Sequence, residues 1–222
     1  LTPLKLTSDN TVRLMRIGKQ WTSSIDAKAW VSFGSIDDDY HDFYEPVSNM
    51  WNRFGFKTFY TLICDENSIE RNHLGVILRI KKSDIAHTFD ERYRRNYSWQ
   101  SQISRLFAAS FIDGIMITSD LDSMPLQDTY FDKLIGLASD NIIAVSTKKP
   151  YYDSDKYCMM WAAAKSDVFE SVFNSKKTFD EFCDSYLKKY ELSFVSDERF
   201  LTDSINDSGR SIKFMDDVPI NR

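Results

Sequence analysis

The chain has 222 residues, 42% hydrophobic and 14% aromatic, enough to bury a full core in a single domain spanning 1–222. A net charge of −5 excludes a general nucleic-acid binder, because phosphate neutralisation demands a basic surface, and the cluster Arg92, Arg94 and Arg95 is too short to supply one. No apolar run approaches the roughly 18 residues of a membrane span. Three scattered cysteines (Cys64, Cys158 and Cys183) argue for reduced thiols and a cytoplasmic compartment rather than a disulfide framework. The chain begins at Leu1 rather than Met, as a trimmed chain or one domain of a longer protein would.

Residues 1–27 show no clear period and read as a lead-in segment. Ala29-Trp-Val-Ser-Phe-Gly34 reads as the first core strand, ending at the glycine. Tyr40, Phe43, Tyr44, Val47, Met50, Trp51 and Phe54 then recur at helical spacing, with Pro46 either kinking that helix or starting it. Asp37, Asp38 and Asp39 read as N-cap and first-turn acids of the same helix. Phe56 to Cys64 is the second strand and Gly75 to Ile80 the third. Ser98 to Ile112 forms the next helix, with Ile103, Leu106, Phe107 and Phe111 on one face.

The strand beginning at Ile115 follows at once. Tyr130, Phe131, Leu134 and Leu137 mark a short helix, and Asn141 to Thr147 another strand. Tyr157 to Ala164 reads as extended, with a helix from Asp167 to Asn174. Thr178-Phe-Asp-Glu181 is a capping-box pattern opening a helix whose face is Phe179, Phe182, Cys183, Tyr186 and Tyr190. A last helix runs from Ser196 to Asn206, and Ile212 to Met215 closes as a strand. Strands alternating with helices predict an α/β fold with a mixed, largely parallel sheet flanked by helices.

The stretch with most chemical content is Ile115-Met-Ile-Thr-Ser-Asp-Leu-Asp-Ser-Met-Pro125. Side chains of an extended chain alternate, so Asp120 and Asp122 are expected on one face of the strand end, with Leu121 toward the core. Paired carboxylates there suit a hard divalent cation with positions left open for phosphate oxygens. The plainer alternative is a pair of acids capping the turn before Pro125.

This stretch resembles the DxD signature of the GT-A glycosyltransferases, which bind a nucleotide-diphosphate sugar through Mn²⁺ or Mg²⁺. The resemblance covers residues 28–215 by order and spacing of elements rather than by identity. It implies a GT-A-like (Rossmann-like) fold, with a donor half at about 28–125 and an acceptor half at about 126–222. Asp120 and Asp122 would hold the metal, Asp120 also meeting the ribose. Ser32, Phe33 and Gly34, closing the first strand, would hold the nucleoside, and Asp65 would reach the base, an ordinary loop acid being the alternative there. Arg105 would face the donor sugar or diphosphate, flanked by Trp99 and Gln102.

On the acceptor side, Cys158-Met-Met-Trp-Ala-Ala-Ala164 resembles the family's apolar strand, whose small residues leave room for a sugar. Trp161 would stack on that sugar, with plain core packing as the alternative. Ser196-Asp-Glu-Arg199 resembles the acidic pair that faces the acceptor, so Asp197 or Glu198 would remove the acceptor's proton in an inverting enzyme. The alternative is that both are first-turn acids of a helix capped by Ser196. Arg210 or Lys213 would add positive charge.

The implied reaction moves a sugar from a nucleotide-diphosphate sugar, UDP favoured by family frequency, to a glycan, glycoconjugate or other hydroxyl acceptor. One departure stands out: the family's late metal-binding histidine is missing, since His41, His73 and His87 all precede Asp120. Asp216, Asp217, water or a residue beyond Arg222 would take its place. Two other readings remain open. A haloacid-dehalogenase-like phosphatase would use Asp120 as nucleophile, although over a hundred residues precede it. A catalytically inactive domain would bind nucleotide-sugar without turnover. A sugar-nucleotide pyrophosphorylase would need a G-x-G-T-R loop that Val31 to Ser35 does not supply.

Overall fold

The computed structural model describes residues 3–6, 11–36, 42–83, 98–147, 156–173, 178–190 and 196–215. In chain order these form β1 (Leu4–Leu6), α1 (Thr11–Ser23), β2 (Trp30–Ile36), α2 (Tyr44–Arg53), β3 (Lys57–Cys64), β4 (Asn67–Arg71) and β5 (Gly75–Lys81). The second half contributes α3 (Ser98–Phe107) with a 3₁₀ turn at Ala108–Phe111, β6 (Ile115–Thr118), α4 (Thr129–Leu137), β7 (Ile142–Val145) and β8 (Ala162–Lys165). It closes with α5 (Ser166–Phe173), α6 (Phe179–Leu187), α7 (Ser196–Asp207) and β9 (Ser211–Phe214).

The strands make one mixed sheet in the order β1-β4-β5-β3-β2-β6-β8-β7-β9. Its centre, β5-β3-β2-β6, is parallel. β1 and β4 add an antiparallel flank on one side, and β8 runs antiparallel to both β6 and β7 on the other. This is a Rossmann-like α/β architecture. From β2 the chain steps outward through β3 to β5, then returns across α3 to lay β6 on the opposite side of β2. The direction of winding therefore reverses between β2 and β6, and in open α/β sheets that reversal opens a crevice at the carboxyl ends of the strands.

Alternation along the strands feeds two cores. Trp30, Phe59 and Met116 face the helices α1, α3, α5, α6 and α7. Val31, Phe33, Tyr60 and Ile117 face α2 and α4. Rings dominate both sides: Trp51 packs edge-on against Phe56 and Phe131, and Phe107 against Phe179.

Most predicted elements are present, with instructive differences. The lead-in holds β1 and α1, whose buried positions Leu14, Gly18 and Thr22 recur every four residues but include only one large apolar side chain. Small residues face the 3₁₀ turn there because Phe111 comes close: a Cβ on Gly18 would lie 2.8 Å from the Phe111 carbonyl oxygen, and Thr22 Oγ1 accepts the Asp113 N–H. The polar strand β4 was not foreseen either. The first core strand continues past Gly34 to Ile36, and α2 begins just ahead of Pro46, whose missing N–H is harmless in a first turn. The span Tyr157 to Ala164 becomes a strand only at Ala162. Thr178 and Glu181 do form the reciprocal capping box. Tyr40, Asp37, Asp38 and Asp39 lie outside the described residues.

α3 sits so close to β2 that a Cβ at Gly34 would come within 1.8 Å of the Ser101 carbonyl oxygen and 2.7 Å of Ser104 Oγ. Backbone cannot yield as a side-chain tip can. Gly34→Ala is accordingly expected to cost at least about 1–3 kcal/mol through overpacking, read as a lowered urea midpoint. An unchanged midpoint would mean α3 is free to shift away from the sheet.

Candidate functional site

One guanidinium organises the carboxyl ends of β2 and β6. Arg105 projects from the last turn of α3 and is only 4% exposed. Nε donates to the Gln102 carbonyl (3.0 Å), and Nη1 to the Ser119 carbonyl (3.1 Å) and to Asp120 Oδ1. Nη2 donates to Asp197 Oδ2 (3.2 Å). The Arg105 carbonyl in turn accepts Ser32 Oγ–H at 3.0 Å, which ties α3 to β2. Burial disfavours the cation, but Asp120 and Asp197 outweigh it and hold the guanidinium pKa above its usual value.

One partner is 15 residues away along the chain and the other 92. β6 stops at Thr118, so the Asp120/Asp122 pair lies in a turn rather than on the strand. That turn is closed by Ser123 N–H on the Asp120 carbonyl (3.1 Å). Leu121 is buried as expected, but the carboxylates do not share a strand face: Asp120 bends in to Arg105 with its side chain still 46% exposed, while Asp122 is exposed to solvent. Asp197 and Glu198 occupy the first turn of α7, where unsatisfied N–H groups and the helix dipole favour carboxylates. Asp197 Oδ1 accepts the Glu198 N–H at 2.9 Å.

Burial moves both helix-start acids in the same direction. Burial raises the Asp197 carboxyl above the ordinary carboxylate range, and Arg105 opposes that rise. Burial, then the charge of Asp197, also raises Glu198, while the Met159 N–H and Lys156 act the other way. Cys158 stands nearby, its thiol pushed up by burial and by Glu198 and Asp120, with Ser146 acting against them.

The segment before β8 crosses the carboxyl end of β6. Thr118 Oγ1 donates to the Met159 carbonyl (2.5 Å), the Trp161 N–H binds the Thr118 carbonyl (2.7 Å), and Ser123 Oγ meets Met160 Sδ (3.2 Å). Trp161 is held at φ +65°, a left-handed conformation that costs a bulky residue about 1–3 kcal/mol.

Several expected roles are corrected. Ser32 and Phe33 are fully buried: Ser32 and Gly34 seat α3 on one face of the sheet, and Phe33 packs in the core on the other, so none of the three lines a nucleoside pocket. Arg105 is enclosed between carboxylates and serves as an internal tie. Trp99 is buried, stacked on Tyr186 with ring planes 6° apart. Ala162, Ala163 and Ala164 are closed inside the sheet, and the half-buried Trp161 ring packs edge-on against Tyr130 and Phe131. Asp65 reaches the correct edge of the sheet but is paired with Lys82 at 2.7 Å. Arg210 precedes β9 at the opposite edge, bonded to Asn141 and Ser171. Asp216 and Asp217 lie outside the described residues. Cys158 and Met159 belong to the segment expected on the acceptor side, but their place beside Glu198 and that of Lys156 are not marked by any local motif.

Among the described residues no three metal-ligating side chains come together. The donors present still suit Mg²⁺ or Mn²⁺, which commonly takes one or two carboxylates and completes its shell with water and substrate phosphate oxygens. One cation between two carboxylates also leaves the trio one negative charge in excess. No protein-family model matches the chain, and no curated protein matches it significantly. Among the described residues no helix is long and apolar enough to cross a membrane.

Removing Arg105 would leave Asp197 buried without its counter-charge. Arg105→Met is expected to destabilise the fold by about 3–5 kcal/mol at neutral pH, the loss shrinking in acid as Asp197 takes up a proton. Urea denaturation at pH 7 and at pH 4 checks this; equal losses at both would refute the charge explanation.

Proposed function

We propose that the crevice at the carboxyl ends of β2 and β6 binds a nucleotide-diphosphate sugar, UDP-linked by preference, and that the protein transfers the sugar to a hydroxyl of a glycan or other acceptor. The observation that carries this reading is the convergence, at the switch point of the sheet, of the Asp120–Asp122 turn and the Asp197–Glu198 helix start on one buried arginine. A donor-side acidic turn and an acceptor-side acidic pair thus sit a guanidinium's width apart.

Asp120 and Asp122 would hold the divalent cation. Once bound, it would act as a Lewis acid on the departing diphosphate. Arg105 keeps Asp120 oriented from behind. A carboxylate of the Asp197–Glu198 pair takes the proton of the acceptor hydroxyl, and its raised pKa brings it nearer the working pH than an exposed acid would be. The segment from Cys158 to Trp161, pinned to Thr118 and carrying the left-handed Trp161, runs beside both acidic groups.

A thermal-shift panel of UDP-, GDP- and dTDP-sugars, with and without Mn²⁺, tests the assignment. Ligand at a hundred times its Kd stabilises by about 2.7 kcal/mol, or about 5–10 °C for a chain of this size. One nucleotide family is expected to give that shift only with Mn²⁺. Asp122→Ala, at an exposed position, should keep the ligand-free melting temperature and lose the metal-dependent part of the shift. A shift that is indifferent both to Mn²⁺ and to Asp122 would overturn the donor-site assignment.

A further inference from the structure

We propose that Glu198 is the group that exchanges a proton with the substrate, and that Asp197 and Arg105 are positioning residues holding it in register with the Asp120 turn. The identity of the substrate rests on the glycosyl-transfer reading; the division of labour between the two acids rests on their geometry.

The Asp197 side chain is 7% exposed, and each of its oxygens has a partner: Oδ1 takes the Glu198 N–H and Oδ2 takes Arg105 Nη2. To meet a substrate it would have to abandon a buried guanidinium. Glu198 is fixed through its backbone, which bonds Asp197 at the N–H and Thr202 Oγ1 at the carbonyl (2.7 Å). Among the described residues its half-buried carboxylate accepts only the Met159 N–H and is bonded to no buried guanidinium that it would have to give up.

The groups facing Glu198 come from three directions. Asp197 lies beside it on α7, Arg105 approaches from α3, and Lys156, Cys158 and the Met159 N–H belong to the segment before β8. Burial and the Asp197 charge both favour its protonated form. In the step, the acceptor oxygen bonds to the anomeric carbon as its O–H bond breaks. The proton passes to the Glu198 carboxylate, and the electron pair of the C1–O bond leaves with the nucleoside diphosphate.

The first arm of the test needs no donor. Melting temperature is followed from pH 4 to pH 8 for the wild type, Glu198→Gln and Asp197→Ala. The folded-state pKa of Glu198 is raised, so its protonation favours folding in acid, and that contribution is lost as pH rises through the folded value. A neutral glutamine escapes the loss. Glu198→Gln should therefore melt at or above the wild type at pH 8, with any advantage vanishing at pH 4. Asp197→Ala should melt well below the wild type, because Arg105 Nη2 loses its buried acceptor. Equal losses in the two variants would make Glu198 a structural member of the cluster and overturn the proposal.

The second arm uses UDP-glucose, UDP-galactose and UDP-N-acetylglucosamine with Mn²⁺. Glu198→Gln should keep the donor-induced shift, lose roughly a hundredfold or more in kcat, and lose the acid limb of the kcat profile. Asp197→Ala should retain that limb but move it to lower pH, since the charge that lifts Glu198 is gone. An acid limb that survives in Glu198→Gln would overturn the assignment. Failure of every nucleotide-sugar to bind the wild type would sink the glycosyl-transfer reading alone, and the first arm would still decide between the two acids.

Discussion

A single buried cation organises the molecule's candidate chemistry. Arg105 joins the end of α3 and the turn after β6 to the first turn of α7, which lies 92 residues further along the chain. Burying charge is costly, and a hydrophobic replacement of similar shape is often as stable or more so. The value of such a cluster lies in geometry: each hydrogen bond has a direction, and an apolar contact has none. The guanidinium fork fixes where two carboxylates sit, to within a hydrogen-bond length, on elements that otherwise meet only through packing.

That fork is in turn positioned by the scaffold. Gly34 lets α3 descend onto β2, Ser32 binds the carbonyl of Arg105, and the parallel centre of the sheet delivers β2 and β6 side by side with their carboxyl ends together. Residues whose place in the sequence suggested ligand contact thus serve one step removed. Close helix–sheet packing needs small residues as much as ligand approach does, and a strand-end glycine does not distinguish the two.

The site also carries local costs that packing alone does not require. Asp197 and Glu198 are held where burial disfavours their charges, and Trp161 adopts a left-handed backbone beside the Asp120 turn. Such features persist only when the surroundings over-determine them, and they gather where proteins do chemistry. Thr118 supplies much of that constraint, using its hydroxyl and its carbonyl to pin the segment from Met159 to Ala162 across the strand end.

What the sequence by itself determined was local: the apolar runs of β2, β3, β5 and β6, the stripes of α2 and α3, and the capping box of α6 follow from periodicity and backbone hydrogen bonding within a few residues. It also singled out Asp120, Asp197, Glu198 and Arg105 as residue types in suggestive places. The weakly apolar α1 and polar β4 were hidden, because their faces are chosen by distant partners such as Phe111 and β5. Only the tertiary structure decided that Arg105 lies between two acids instead of facing a ligand, that Asp120 turns inward while Asp122 does not, and that Lys156, Cys158 and Met159 border Glu198. These outcomes depend on contacts across up to 92 residues of chain, where no local period carries information and only the meeting of packed elements sets the distance.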